Sequence, residues 1–172
     1  MLLPATDLGL INSHLSSHDG LIKKVEKQLE QVEHPVLTEL LKGKLELLHN
    51  HVKVMMEIID PNKTDYTEVP PVKVLNESLK EKDLKTKSDL EIHLALEVKT
   101  STQSMSIDNF FSALKMKTPK VKQTHIEMAL QQVKLTNSLI EFLKENKAEV
   151  MPFSSQEEQQ KVLDHFAHMR NE

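Results

Sequence analysis

Apolar residues recur three or four positions apart along most of the chain, which is the spacing of one face of an α-helix. The clearest series predicts a helix over residues 6–33 that begins at Thr6 or Asp7. It consists of Leu8, Ile11, Leu15, His18, Ile22, Val25, Leu29 and Val32. Seven of these eight are apolar. A narrow stripe of this kind is typical of helices that pack along one another at a shallow angle.

A second helix is predicted over residues 35–60, with Pro35 at its first position, where the missing N–H of proline costs nothing. Two apolar rows run along it. The first row consists of Leu37, Leu41, Leu45, Leu48, Val52, Met55 and Ile59, and the second of Leu40, Leu47, Val54 and Ile58. Two rows must be covered from two directions. The crossover segment, the C-terminal helix or another subunit would serve as the second cover.

Residues 61–87 show no regular period and contain Pro61, Pro70 and Pro71. This stretch is far longer than the usual connection of about 2–8 residues between helices. A crossover that runs the length of a helical bundle explains it, because it lets the third helix lie parallel to the second. A short extra helix within residues 72–84 is expected along that path.

Capping patterns mark the later helices. Ser88 and Glu91 match the Ser-x-x-Glu capping box and predict a third helix over residues 88–117. The alternation of apolar and polar residues at 90–98 by itself indicates a strand, but a lone strand would have no partner in a helical chain. The later part of the third helix has an apolar face that consists of Ile107, Phe110, Phe111 and Leu114. Thr118-Pro119 starts a fourth helix over 119–147, whose apolar series consists of Ile126, Ala129, Val133, Ile140 and Leu143. Ser155 and Glu158 form another box, which starts a short helix over 155–169.

These elements predict an all-α fold: a ferritin-like four-helix bundle with one long crossover over residues 61–87 and a short C-terminal helix. The chain has 172 residues, which suits a single domain over residues 1–172. We expect its interior to be apolar, so that packing rather than reactive groups dominates the core.

Composition removes many kinds of chemistry. The three glycines, Gly9, Gly20 and Gly43, are isolated, so no glycine-rich phosphate loop can form. Without cysteine, thiol catalysis, disulfides and thiolate-bound metals are excluded. The net charge is −4 with both signs interspersed, which gives no reason to expect a nucleic-acid partner. The first residues lack the pattern of a secretory signal, and no run is long enough to span a membrane.

A ferritin-like bundle raises the question of a di-iron centre, which needs a Glu-x-x-His pair on each of two helices. Glu46 and His49 supply one such pair, and no other Glu is followed by His three positions later. His18, which interrupts the first apolar series, is a further candidate metal ligand beside Glu46 or His49. The alternative is a core histidine that bonds another side chain and fixes helix register. We interpret His18 in this second way, so the sequence assigns no metal, cofactor or catalytic residue.

The chain resembles the bacterial spore coat proteins of the Coat F type, which are small helical proteins of endospore-forming bacilli. The resemblance covers the N-terminal hairpin, from Leu3-Pro4-Ala5-Thr6-Asp7-Leu8 through Leu15, His18 and Asp19 to Pro35, and extends over residues 89–147. It implies a ferritin-like bundle and a structural role in the spore coat, without catalytic residues. The chain departs from tyrosine-rich coat proteins, because Tyr66 is its only tyrosine.

We therefore expect a non-enzymatic structural or interaction protein of the spore coat that lacks a cofactor. Its partners would be other coat proteins or a second copy of itself, bound through helix packing by the second apolar row and the tail helix. The alternative, from a different functional class, is a metal-binding or redox bundle that uses His18, Glu46 and His49.

Overall fold

The computed structural model describes residues 2–65, 68–76, 78–79 and 81–170, with backbone alone at 75 and 76. All regular structure in this part is helical, and no strand occurs in it. The α-helices are α1 Ala5–Leu29, α2 Pro35–Ile59, α3 Asp89–Lys115, α4 Pro119–Glu145 and α5 Gln156–Phe166. Lys73–Asn76 and Ala167–Arg170 are 3₁₀ helices. The all-α prediction is confirmed, and residues 90–98 are helical. Tyr66 lies outside the described residues.

The long helices form a bundle-like arrangement in which α1 packs along α2 and α3 along α4. The two pairs meet through α2 against α4 and α1 against α3. The first helix ends at Leu29, four residues before the predicted end at Glu33. Since Pro35 disfavours helical backbone at the residue before it, His34 is extended and serves as the N-cap of α2.

The second apolar row of α2 does not form an outer surface. Leu40 and Val54 have no exposed area, and Leu47 and Ile58 are at most 2% exposed. The expectation that this row binds another subunit is therefore wrong. The row belongs to the core of its own chain, because α4 and the segment after α2 both pack against α2.

Two buried carboxylates tie the hairpins together. Asp7, in the first turn of α1, accepts hydrogen bonds from the backbone N–H groups of Lys117 (2.8 Å) and Thr118 (2.9 Å) in the α3–α4 turn. Burial by itself raises the pKa of Asp7, but these bonds outweigh it and leave the pKa below its ordinary value. The N-terminus of α1 thereby holds the turn between the two later helices.

Glu91, in the first turn of α3, binds the α1–α2 turn in the same way that Asp7 binds the α3–α4 turn. It accepts hydrogen bonds from the backbone N–H groups of Glu33 (2.9 Å) and His34 (2.7 Å), and from the Thr86 hydroxyl. Ser88 caps α3 through the Glu91 N–H as the capping box predicts. The Glu91 carboxylate, however, does not return to Ser88, because it is engaged by the α1–α2 turn.

The segment between α2 and α3 crosses the bundle against Gly43. A Cβ on Gly43 would collide with Cγ1 of Val74, so only glycine lets the segment approach α2 this closely. Val72, Leu79 and Leu84 of the same segment are buried in the core. The short helix expected within residues 72–84 is present as the 3₁₀ helix Lys73–Asn76.

Gly43→Ala and Gly20→Ala should change stability in opposite directions. Gly43→Ala forces the crossing segment away and should destabilise the protein by about 1–3 kcal/mol. Gly20, in the exposed middle of α1, has nothing within 4 Å of an added Cβ, so its replacement should stabilise by about 0.5–1 kcal/mol. Urea unfolding of both variants measures this. Equal effects at the two glycines would contradict the close crossing.

Candidate functional site: a buried histidine cluster

Among the described residues, four histidines are buried: His14, His18, His51 and His125, none more than 5% exposed. They come from α1, α2 and α4. We call them the histidine cluster. The rings of His18 and His51 are 5.7 Å apart between centroids, and those of His14 and His125 are 5.2 Å apart. The centre of the bundle is therefore ionisable in part, and the expectation of a wholly apolar interior is wrong.

The histidine cluster belongs to a polar layer between two apolar clusters. One apolar cluster includes Val25, Leu48 and Met105, and the other includes Ile11, Val54 and Met116. On α1, α2 and α3 the polar side chains lie between members of these two clusters. The α3 contribution consists of Ser106, Asn109 and Ser112, all at most 6% exposed.

Each ring of the histidine cluster is held by a fixed partner. His14 Nε2 lies 2.8 Å from the Ser112 hydroxyl, and His18 Nδ1 lies 2.8 Å from the carbonyl oxygen of His14. His125 Nδ1 lies 3.0 Å from the carbonyl oxygen of Val121. These partners restrict the rotation of the three rings.

His51 is held by a side chain rather than by backbone. Its Nε2 lies 3.0 Å from Gln131 Oε1, and the Gln131 amide donates to the carbonyl oxygen of Pro70 at 2.7 Å. On the opposite side of the ring, His51 Nδ1 lies 3.5 Å from His18 Nε2.

Burial keeps these rings neutral. Loss of hydration lowers the pKa of His18 to about 4 and that of His125 to about 4. The pKa of His51 falls to about 3 because burial is reinforced by the neighbouring His18. Burial also lowers the pKa of His14, although Asp108 acts in the opposite direction. At neutral pH every ring in the cluster is an uncharged imidazole.

Several buried polar atoms on α3 and α4 have no hydrogen-bond partner within the described structure. They are His125 Nε2, Asn109 Oδ1, Thr136 Oγ1 and both amide atoms of Gln132. A buried polar atom without a partner costs about 1–3 kcal/mol.

The structure does not bring His18, Glu46 and His49 together. Glu46 and His49 are exposed on α2, whereas His18 is fully buried and its neighbour on α2 is His51. These three residues therefore do not form a common site. Within the described residues, no group of three or more His, Asp or Glu side chains could hold a metal ion.

The sequence pattern does not single out His51 and His125 as buried residues. On α4 the predicted apolar series includes Ile126 and Val133, but Ile126 is half-buried and Val133 is exposed. The buried positions on this helix include His125, Gln132 and Thr136. The available signal was the i, i+4 spacing of His14 and His18, which places two histidines on one face of α1.

The outer surface carries a second unusual feature. The C-terminal half of α3 turns its polar residues inward and its large apolar residues outward, and α4 adds two more beside them. We call this surface the α3–α4 face, and it consists of Ile107, Phe110, Phe111, Leu114, Leu130 and Val133, each 37–81% exposed. A groove of about 530 Å³ lies at its edge, lined in part by Ile107, Val133 and Thr136.

The C-terminal arm, residues 150–170, is uncovered as well. No residue of α5 is buried, although its capping box is complete, with Ser155 and Glu158 bonded in both directions. Val162, Leu163, Phe166 and Met169 are 43–59% exposed. Their spacing places them on one side of a helix. A helix with an apolar side and no cover is typical of a segment that packs on another surface.

No protein-family model matches the chain, and no curated protein or solved structure matches it. None of the helices in the described part of the chain combines the length and apolarity that a bilayer crossing requires.

Stability should depend on pH through the histidine cluster. The folded protein keeps these rings neutral, while the unfolded chain protonates them near pH 6.5, so the unfolded state binds more protons below that pH. The free energy of unfolding should thus be level above about pH 7 and fall from about pH 6.5 towards pH 4. Each buried histidine contributes a slope of up to about 1.4 kcal/mol per pH unit.

Urea unfolding across this pH range measures the slope. His51→Gln should make the slope shallower, and His49→Gln, the exposed neighbour on α2, should leave it unchanged. An equal change in both variants would show that the cluster does not cause the effect.

Proposed function

We propose that this protein is a non-enzymatic structural component of the spore coat that assembles through helix packing. The observation that supports assembly is the α3–α4 face, where large apolar side chains are exposed to solvent while serines and an asparagine of the same helix are buried. Exposed apolar surfaces of this kind mark sites of protein–protein contact. The spore coat itself is proposed from the resemblance to the Coat F type.

The proposed fold is the ferritin-like four-helix bundle with one long crossover. The two helix hairpins and the long segment between α2 and α3 support this topology. In such an arrangement α2 and α3 run in the same direction, so the segment between them returns along the bundle. The close contact of Val74 with Gly43 is in keeping with that path.

The proposed partner of the α3–α4 face is the C-terminal arm of a second copy. Both surfaces are apolar, and the complete capping box favours the helical form of α5 before it binds, which reduces the entropic cost of docking. Within the arm helix Glu157 is paired with Lys161 and Glu158 accepts hydrogen bonds from Ser155. The charge complementarity therefore rests on Asp164 of the arm and on Lys115, whose Nζ lies 3.8 Å from the centre of the Phe111 ring. Reciprocal exchange of two arms would close a symmetric dimer.

Self-association should disappear when the α3–α4 face is made polar. The double substitution Ile107→Ser and Leu114→Ser removes two exposed apolar side chains, so it should convert a dimer to a monomer with little change in stability. Removal of residues 150–172 should have the same effect. Light scattering at rising protein concentration measures both.

Met56→Ser serves as the matched control, because Met56 is 53% exposed on α2, outside the α3–α4 face. This variant should dimerise like the unaltered protein. An unaltered chain that stays monomeric at every concentration would rule out the arm exchange and leave other coat proteins as the partners of the face.

The spore coat assignment has its own test. A fluorescent fusion produced in an endospore-forming bacterium should collect in a shell around the developing spore, and the protein should be recovered in extracts of purified coats. The fusion with Ile107→Ser and Leu114→Ser should stay diffuse, because it lacks the docking face. A diffuse signal from the unaltered chain would contradict the assignment.

A further inference from the structure

The chain changes direction sharply at the end of α4. Lys147 has a φ of 56°, in the left-handed region. Its N–H donates to the carbonyl oxygen of Lys144 at 3.0 Å, and the Ala148 N–H donates to that of Leu143 at 2.9 Å. These two bonds form the Schellman motif, in which a left-handed residue ends the helix. Ala148 then packs against the apolar core instead of continuing beyond the end of the bundle.

An ion pair fixes the start of the C-terminal arm on α3. Lys99 Nζ lies 2.6 Å from Glu149 Oε2, and the two side chains are only 14% and 22% exposed. Lys99 lies about 15 Å along α3 from its first residue, Asp89. Since α3 and α4 have 27 residues each and are joined by residues 116–118, the end of α4 is level with the start of α3. The arm therefore begins part of the way back along the bundle, in the direction of the α3–α4 face.

The anchor of the arm and the α3–α4 face lie on the same side of α3. Phe110 and Leu114 follow Lys99 by 11 and 15 positions, which are close to three and four whole helical turns. Gln103, one turn after Lys99, lines the groove at the edge of the face. The far end of the face at Leu114 is about 22 Å from Lys99 along the helix axis.

The arm is long enough to cover this distance. Residues 150–155 are not helical and separate the anchor from α5. Six extended residues span up to about 20 Å, and the 11 residues of α5 add about 16 Å. The non-helical part is also uncovered, because Val150, Met151 and Phe153 are 49–89% exposed. Both apolar surfaces, the arm and the face, are thus attached to one anchor and lie within reach of each other.

We infer that the arm closes in cis over the α3–α4 face of its own chain and competes there with the arm of a second copy. This inference rests on the proposed function, because it concerns the regulation of the same face. The closed contact uses the apolar side of α5 that the exchanged dimer uses. The open arm described above is the starting point of both closure and exchange.

Closure in cis sets a concentration threshold for assembly. A short flexible tether holds its end at an effective concentration in the millimolar range. In dilute protein the chain's own arm therefore occupies the face more often than the arm of another copy does. Exchange gains as the local protein concentration approaches the effective concentration, for instance where many copies collect on one surface. The arm is then an autoinhibitory strap that becomes the link between subunits.

Introduced cysteines test closure directly, because the chain has no cysteine of its own. Gln103→Cys places a thiol beside the groove. Gln159→Cys places the second thiol one turn before Leu163 on the apolar side of α5. In dilute protein a short bismaleimide crosslinker should join the two within one chain, giving a looped monomer that peptide mass spectrometry identifies. The matched pair Met56→Cys and Gln159→Cys, with Met56 on α2, should give no looped product.

The anchor has a separate test in the same cysteine pair. Glu149→Gln removes the ion pair with Lys99 and frees the start of the arm, so the yield of looped monomer should fall by about 1.5- to 5-fold, the effect expected for a partly exposed ion pair. Glu157→Gln is the control, because it removes the exposed ion pair with Lys161 inside α5 and leaves the anchor intact. An equal fall in both variants would contradict the role of the anchor.

The outcomes distinguish closure from exchange. A looped monomer in a chain that never dimerises would support closure and remove the exchanged dimer. Links found only between chains, even in the most dilute sample, would overturn closure and leave exchange intact. The unaltered protein gives a further readout, since nuclear Overhauser contacts should join the methyl groups of Met169 to those of Ile107 or Leu114 in a sample that light scattering shows to be monomeric. Their absence would also overturn closure.

Discussion

Two carboxylates hold the fold together across long separations in sequence. Asp7 binds backbone N–H groups of the α3–α4 turn, and Glu91 binds those of the α1–α2 turn. The arrangement is reciprocal: Glu91 follows Asp7 by 84 residues, and Pro119 follows Pro35 by the same 84. Each hairpin thus supplies the acid that satisfies the turn of the other. Neither turn has its full set of hydrogen bonds until both hairpins are in place.

The polar layer depends on this frame. His14 and His18 lie two and three turns after Asp7 on α1, and His125 lies two turns after Thr118 on α4. The hydrogen bond between Asp7 and Thr118 therefore sets the level along the bundle axis at which these rings meet. Apolar clusters above and below keep water out, so the rings stay neutral and their hydrogen bonds stay ordered. The same register that closes the bundle builds the candidate site.

Much of the fold could be predicted from the sequence, because helix period, proline starts and serine caps are local signals. Pro35, Pro119, Ser88 and Ser155 all mark helix starts as expected. Glu91 shows the limit of local signals, because its carboxylate accepts hydrogen bonds from the distant α1–α2 turn and not from Ser88, the N-cap of its own helix.

The site was harder to predict for the same reason. In a periodic pattern a buried His125 or Asn109 looks like a solvent-facing residue. The predicted apolar series on α4 is therefore shifted by about one position from the residues that are buried. On α3 the outward Ile107 and Leu114 looked like core residues. Only tertiary packing distinguishes these cases, because a polar residue inside a core is tolerated when its partners come from other helices.

Gln131 connects the interior to the surface. Its amide is oriented by Pro70, a residue of the segment between α2 and α3, and its oxygen in turn decides where His51 holds its proton. Withdrawal of that segment would free the carboxamide to rotate. An amide turned the other way presents N–H groups to the ring, and the imidazole must then move its proton to Nδ1. The segment between α2 and α3 thereby determines the tautomer of His51, a side chain buried in the middle of the protein.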